Sequence, residues 1–173
     1  MMEEWMKAWA AAILDSRGHI VKRNNRQRAA DSQQITVIVD TSVTEIAARL
    51  CTLTGSKPEA KPHKELRREW LRRGCSEHCP ESHVHMRDVN MPDTVRWSVT
   101  GVAAAIVLWN LLNYMTTSDE PWEWALGQCL KQARTEGRGV GATRPAVQRL
   151  QALGWDIPPP LEKLAARELE AAG

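Results

Sequence analysis

Apolar positions recur at helical spacing over Met2–Leu14, where Trp5, Met6, Trp9 and Ile13 stand in an alanine-rich stretch. Gly18 is the expected stop, because glycine takes the left-handed conformation cheaply. The pattern then changes: over Gly18–Arg23, Ile20 is set against Lys22 and Val21 against Arg23, a strand-like arrangement. Asn24–Gln33 is polar and reads as a loop, whereas Gln34–Val39 is β-branched and reads as a second strand. Asp40-Thr-Ser42 offers caps to a helix over Val43–Leu53, which Gly55 closes. Residues 56–91 break the regularity with Pro58, Pro62 and Pro80, a basic helical stretch over Lys64–Arg73, a Cys/His cluster and a strand around Val84–Val89. Thr94–Thr100 alternates again, with Val95, Trp97 and Val99 on one face and Arg96, Ser98 and Thr100 on the other.

Gly101 leads into an apolar helix over Val102–Met115. Asp119-Glu-Pro121 then starts another, since proline suits the first turn and acids suit the positive end of the helix dipole. Trp122, Trp124, Leu126 and Leu130 carry that helix to about Thr135. Gly137, Gly139 and Gly141 form a joint, Arg144–Leu153 a short helix, Pro158-Pro-Pro160 a stiff spacer and Leu161–Ala172 a terminal helix. No internal repeat is visible. The element order predicts an α+β fold with helices on one face of an antiparallel sheet. Residues 1–136 form one domain with an insert at about 56–91, and residues 137–173 form a C-terminal helical tail. Within the tail Trp155, Ile157 and Leu161 have no evident core duty, so residues 138–173 are a candidate surface for a protein partner.

Composition narrows the class. A chain of 173 residues with 43% apolar and 25% charged residues sustains a core and is not wholly disordered. Net charge is only +2, but the charge is unevenly spread. Residues 17–28 hold Arg17, Lys22, Arg23, Arg26 and Arg28 with no acid, and residues 57–73 hold seven Lys/Arg against three Glu. Such blocks are either solvated faces or anion-binding surfaces. The most apolar window, Val99–Met115, contains Asn110 and Asn113, and its unbroken run Val102–Trp109 falls far short of the roughly 20 residues of a membrane span. The expectation is a buried helix and no membrane contact. No secretory signal is visible, so a cytoplasmic protein is expected, with its four cysteines as thiols or metal ligands.

Two stretches carry a resemblance. "AAAILDSRG", Ala10–Gly18, resembles the LAGLIDADG motif of homing endonucleases and their relatives when aligned on the glycine. "RWSVTGVAAAIVLWNLLNYM", Arg96–Met115, is similar to that family's last strand, followed by a glycine and an apolar helix ending in a tyrosine-containing turn. The order of elements over about residues 5–135 matches the family's αββαββα unit. With one motif in the chain, the resemblance implies a homodimer joined through residues 5–14, where Ala8, Ala11 and Ala12 would let two helices approach closely. The same alanines also suit an ordinary helix packed on its own core.

In the family the sheet lies along DNA and its polar face reads the groove, so the resemblance implies double-stranded DNA as partner. A two-stranded ribbon fits the major groove, where Arg, Lys, Asn and Gln bond base edges. The residues that would do so are Lys22, Arg23, Asn25, Arg26, Arg28, Gln34 and Thr36 of the first two strands and their loop, with Arg96 and Ser98 of the last strand. A polar outer face is, however, expected of any sheet packed on helices on one side. In the nucleases of the family, the acid two places after the motif's first aspartate binds the divalent metal. Here Asp15 matches that first aspartate, which is mainly structural, and Arg17 stands where the acid should be. Arginine repels a cation but grips phosphate. The resemblance therefore implies a sequence-specific DNA binder with no cleavage activity. The alternatives are a Mg²⁺-dependent endonuclease with a replacement carboxylate and a protein-binding accessory factor of a DNA-processing enzyme.

"GCSEHCPESHVH" holds Cys75, His78, Cys79, His83 and His85. Cys75, Cys79, His83 and His85 would supply two thiolates and two imidazoles to a tetrahedral structural zinc, which would hold the insert together. Free cysteines with exposed histidines, or a redox pair, fit the same residues. Lys64, Arg67 and Arg68 would then lie on a stapled module beside the sheet, placed for phosphates. Cys51 and Cys129 fall in predicted helices and read as core residues. On the zinc reading, purified protein carries about one zinc per chain by atomic emission, and the double variant Cys75→Ser/Cys79→Ser carries none. Metal-free wild type would remove zinc from the insert.

Overall fold

The structure, a computed structural model, describes residues 2–24, 33–61, 94–116, 120–136 and 143–170. Helix α1 (Glu4–Arg17) passes without a loop into β1 (Gly18–Asn24). Strand β2 (Gln33–Thr41) returns beside it, and α2 (Thr44–Thr54) follows. After β3 (Glu59–Lys61) and β4 (Thr94–Thr100) come α3 (Val102–Leu111), extended by a short 3-10 turn at Leu112–Tyr114, and α4 (Glu120–Glu136). Helices α5 (Thr143–Ala152) and α6 (Pro159–Glu170) complete the described chain. The strands form an antiparallel sheet in the order β1-β2-β4-β3. The fold is α+β, with helices packed on one face of the sheet. The predicted helix over 64–73 and strand over 84–89 lie outside the described residues.

Register assigns the faces. Val39 pairs with Gly18 and Trp97, and Val37 with Ile20 and Val99; with Ile35 these side chains meet Ala10, Ala11 and Leu14 of α1, Leu50 and Cys51 of α2 and nearly all of α3 in one core. From Ala103 to Leu111 only Trp109 reaches solvent, so the most apolar window is the buried centre of the molecule. No helix among the described residues is long and apolar enough to cross a membrane. Trp97 is fully buried, and its indole N–H donates to Thr54 Oγ1 (3.0 Å), whose hydroxyl donates to the Leu50 carbonyl (2.8 Å). Both polar groups are thus satisfied in the core. Cys51 and Cys129 are buried free thiols; desolvation pushes Cys129 up to about 12, so it is no nucleophile at neutral pH.

Four expectations change. Gly18 is not left-handed: its φ is −76° and ψ 149°. A Cβ there would lie 2.5 Å from the Leu14 carbonyl oxygen and 3.0 Å from the Trp122 ring, so glycine is required for space. Gly55, with φ 62°, does close α2 in the left-handed conformation. Asp40 is a strand residue and not a helix cap; Thr41 Oγ1 instead accepts the Val43 N–H (3.1 Å). Strand β3 has no sequence signal, because Glu-Ala-Lys has little strand preference and is extended by its pairing with β4.

The fourth change concerns the tail. Trp155 and Leu161 lie in the same core as the sheet, and Ile157 packs against it. The Trp155 indole donates to the Leu53 carbonyl (2.7 Å) at the end of α2. Asn110 Nδ2 donates to the Asp156 carbonyl (2.8 Å), and the Asp156 N–H donates back to Asn110 Oδ1 (3.1 Å). Lys7 Nζ meets Asp156 Oδ2 at 2.8 Å, and the Met2 N–H donates to the Gly154 carbonyl (3.0 Å). The tail's apolar residues are therefore spent on the core, which removes the ground for reading them as a partner surface. Trp155→Ala should cost about 3–5 kcal/mol in chemical denaturation, as a large core truncation does. A wild-type midpoint, or separate transitions for sheet and tail, would show the tail to be independent.

Candidate nucleic-acid interface

The face of the sheet turned away from the helices is set by the same register. In one row Asp40 lies opposite Arg96, and Arg96 opposite Glu59. In the next, Ile38 lies between His19 and Ser98, and in the third Thr36 lies between Val21 and Thr100. Toward the hairpin tip Arg23 lies opposite Gln34, which is exposed. The middle of the face is uncharged and buried: Ile38 is only 1% exposed, Thr36 is 6% exposed, and the Thr36 and Thr100 hydroxyls are 3.2 Å apart. Charge is concentrated at the two ends.

One end lies next to α1. Arg96 Nε donates to Asp40 Oδ1 and Nη2 to Oδ2, both at 2.7 Å, a two-pronged ion pair; His19 Nε2 stands 3.9 Å from Asp40 Oδ2. Such a pair fixes both side chains and cancels their charge locally. Extending the β1–β2 register by one residue brings Arg17 level with Asp40, at the point where α1 becomes β1. Arg17 is exposed at the negative end of the α1 dipole, where a cation is favoured. Asp15 is turned to the other side: its Oδ2 accepts the Thr116 N–H (2.6 Å) and hydroxyl (3.1 Å), tying α1 to the segment after α3.

The predicted readers divide. Gln34, Arg96 and Ser98 are on the outer face, as is the backbone position of Arg23. Thr36 is on it too but is buried and bonded to Thr100. Lys22 is a correction: a period of two puts it with Ile20 on the helix side, in register with Ile35, and its ammonium sits 3.9 Å from the Trp124 ring centroid. Asn25, Arg26, Arg28, Lys64, Arg67, Arg68 and the whole Cys75, Cys79, His83, His85 set lie outside the described residues. Nothing in the sequence singles out His19 and Asp40; the alternation of each strand holds their facing, but their meeting with Arg96 is a matter of register.

Helix α1 has a second exposed surface. Trp5, 52% exposed, Ala8, Ala12 and the half-buried Trp9 share its outer side, and the Arg49 guanidinium of α2 lies 4.8 Å and 4.7 Å from the two indole rings. Ala11, expected on this small-residue face, is in the core instead.

No protein-family model matches the chain, and no curated protein does. Solved structures do match. The homing endonuclease I-CvuI in complex with its target in the presence of Ca aligns over 96% of this chain and 94% of its own, with a TM-score of 0.50 and 15% identity. The same endonuclease in complex with the I-CreI target in the presence of Mg, where the DNA is not cleaved, aligns over 95% of each chain, again with a TM-score of 0.50, at 13% identity. The likeness establishes the fold, that of the homing endonuclease I-CvuI, and at this coverage it runs through the tail.

A divalent cation does not fit the α1–β1 junction. The residue there is arginine, Asp15 serves Thr116, and Asp40 is clasped by Arg96. Among the described residues no group of three or more His, Cys, Asp or Glu could hold a metal ion. A double-mutant cycle on Asp40→Asn and Arg96→Met should return a coupling of about 1–3 kcal/mol, as for charge-assisted bonds in a partly buried pair. Coupling under about 0.5 kcal/mol would reduce the pair to an ordinary surface contact.

Proposed function

We propose that the protein binds double-stranded DNA as a homodimer, sequence-specifically and without cleaving it. The fold is shared with an endonuclease solved in complex with two DNA targets, and that likeness supports DNA as the ligand. The observation that carries the second half is Arg17. Metal-assisted cleavage needs carboxylate oxygens around the cation at the scissile phosphate, and this junction presents a guanidinium in their place. On the outer face Gln34, toward the hairpin end, and Ser98, in the row of Ile38, supply groups that bond base edges, and the β1–β2 register places position 23 opposite Gln34. Asn25, Arg26 and Arg28 of the loop, with Lys64, Arg67 and Arg68 of the insert, add contacts in this reading; a zinc on Cys75, Cys79, His83 and His85 is its structural complement.

The dimer rests on α1. The Trp5, Ala8, Trp9 and Ala12 side of α1 combines two exposed alanines with one exposed and one half-buried indole beside the Arg49 guanidinium, which supports pairing with a second copy. Sequence specificity is tested by selecting bound duplexes from a random pool. Binding to the selected duplex should weaken steeply with salt, and prolonged incubation with Mg²⁺ should leave supercoiled DNA containing the site unnicked. In analytical ultracentrifugation the wild type sediments as a dimer, and Ala12→Glu, at an exposed position, as a folded monomer. Nicking at the selected site would make the protein a nuclease; failure to enrich any duplex would refute sequence-specific binding.

A further inference from the structure

We propose that Arg17 itself takes the place of the metal ion: it binds a DNA phosphodiester directly at the α1–β1 junction, so that DNA binding is independent of divalent cations. The inference rests on the DNA-binding reading and deepens it, by naming the ligand atom class and the residue that positions it. Three observations converge. First, α1 joins β1 without a loop. Gly18 follows α1 directly, its N–H donates to the Leu14 carbonyl, and the space beside it is closed by Leu14 and the Trp122 ring, so position 17 is fixed relative to the sheet. Second, the carboxylates that could answer Arg17 are engaged elsewhere: Asp40 with Arg96 and His19, Asp15 with Thr116. Among the described residues no hydrogen bond or ion pair joins the Arg17 side chain to another residue. Third, Arg17 stands at the end of the row Asp40–Arg96–Glu59, in which Arg96 is already matched by Asp40. Among the described residues, the positive charge that Arg17 presents at this corner of the face is not cancelled by an ion pair.

A guanidinium offers paired N–H donors that match two phosphate oxygens. An acid at the same exposed place would need a bound cation between itself and the phosphate, because both are negative, and it would oppose the negative end of the α1 dipole. The substitution thus converts a site that must be bridged into one that binds unaided.

The test uses the full chain and a fluorescein-labelled mixed-sequence duplex, followed by anisotropy at matched ionic strength in EDTA and in Mg²⁺. Wild type should bind equally in both. Arg17→Ala should weaken binding on the order of tenfold, as loss of a charge-assisted hydrogen bond does, and should lower the salt slope by about 0.9 for each phosphate that is no longer neutralised. Arg17→Lys, which keeps the charge, should retain most of the slope. Arg17→Asp should bind poorly in EDTA and recover in Mg²⁺ or Ca²⁺. The position is exposed, so circular dichroism should show all the variants folded. If Arg17→Ala keeps wild-type affinity and slope, or if the wild type needs Mg²⁺ to bind, the inference is overturned while DNA binding stands. If the wild type fails to bind the duplex even at low salt, DNA binding and this inference fall together; preference for single-stranded RNA over the duplex overturns both in the same way.

Discussion

A side chain at position 18 would run into the Leu14 carbonyl, and the rest of the architecture follows from that constraint. A helix normally ends in a turn that reorients the chain. Here α1 hands over to β1 with ordinary extended dihedrals, and the room for a turn is taken by the Trp122 ring. Because no loop intervenes, the edge of the sheet sets the direction of the helix. The inward side of α1, with Ala10, Ala11 and Leu14, is thereby laid on the centre of the sheet, while Trp5, Ala8 and Ala12 stay outside. One missing side chain determines both what α1 buries and what it leaves for another molecule.

The core is held from the opposite end by polar groups. Asn110, in the most apolar helix, exchanges two hydrogen bonds with the backbone of Asp156, whose carboxylate reaches Lys7 on α1. Buried amides of this kind are costly unless both donor and acceptor are met, and here they are met by one residue of the tail. The arrangement joins three segments far apart in sequence. It also explains why helices that look like an appendage belong to the same packed unit.

Much of this is legible in the sequence. Thr94–Thr100 alternates cleanly, and the structure gives it those bounds and those two faces. The β-branched residues of Gln34–Val39 mark a strand, and the helix starts read at Asp40–Val43 and Asp119–Pro121 fall within a few residues of the observed ones. What the pattern does not show has physical causes. Strand β3 exists only because β4 pairs with it. Lys22 sits in a basic run that hides its facing, although strict alternation already puts it on the helix side. Trp155 and Leu161 lie after a glycine-rich stretch and beside a run of prolines, which reads as a boundary until tertiary contacts are known. At the candidate site, Arg17 is visible as a departure from a motif, whereas the meeting of His19, Asp40 and Arg96 requires the strand register.

Arg17 closes a helix, is exposed and has no hydrogen bond or ion pair among the described residues. The fold therefore tolerates many side chains at that position, with a base favoured over an acid by the negative end of the α1 dipole. What folds the chain is thereby kept apart from what the tip of α1 presents to solvent.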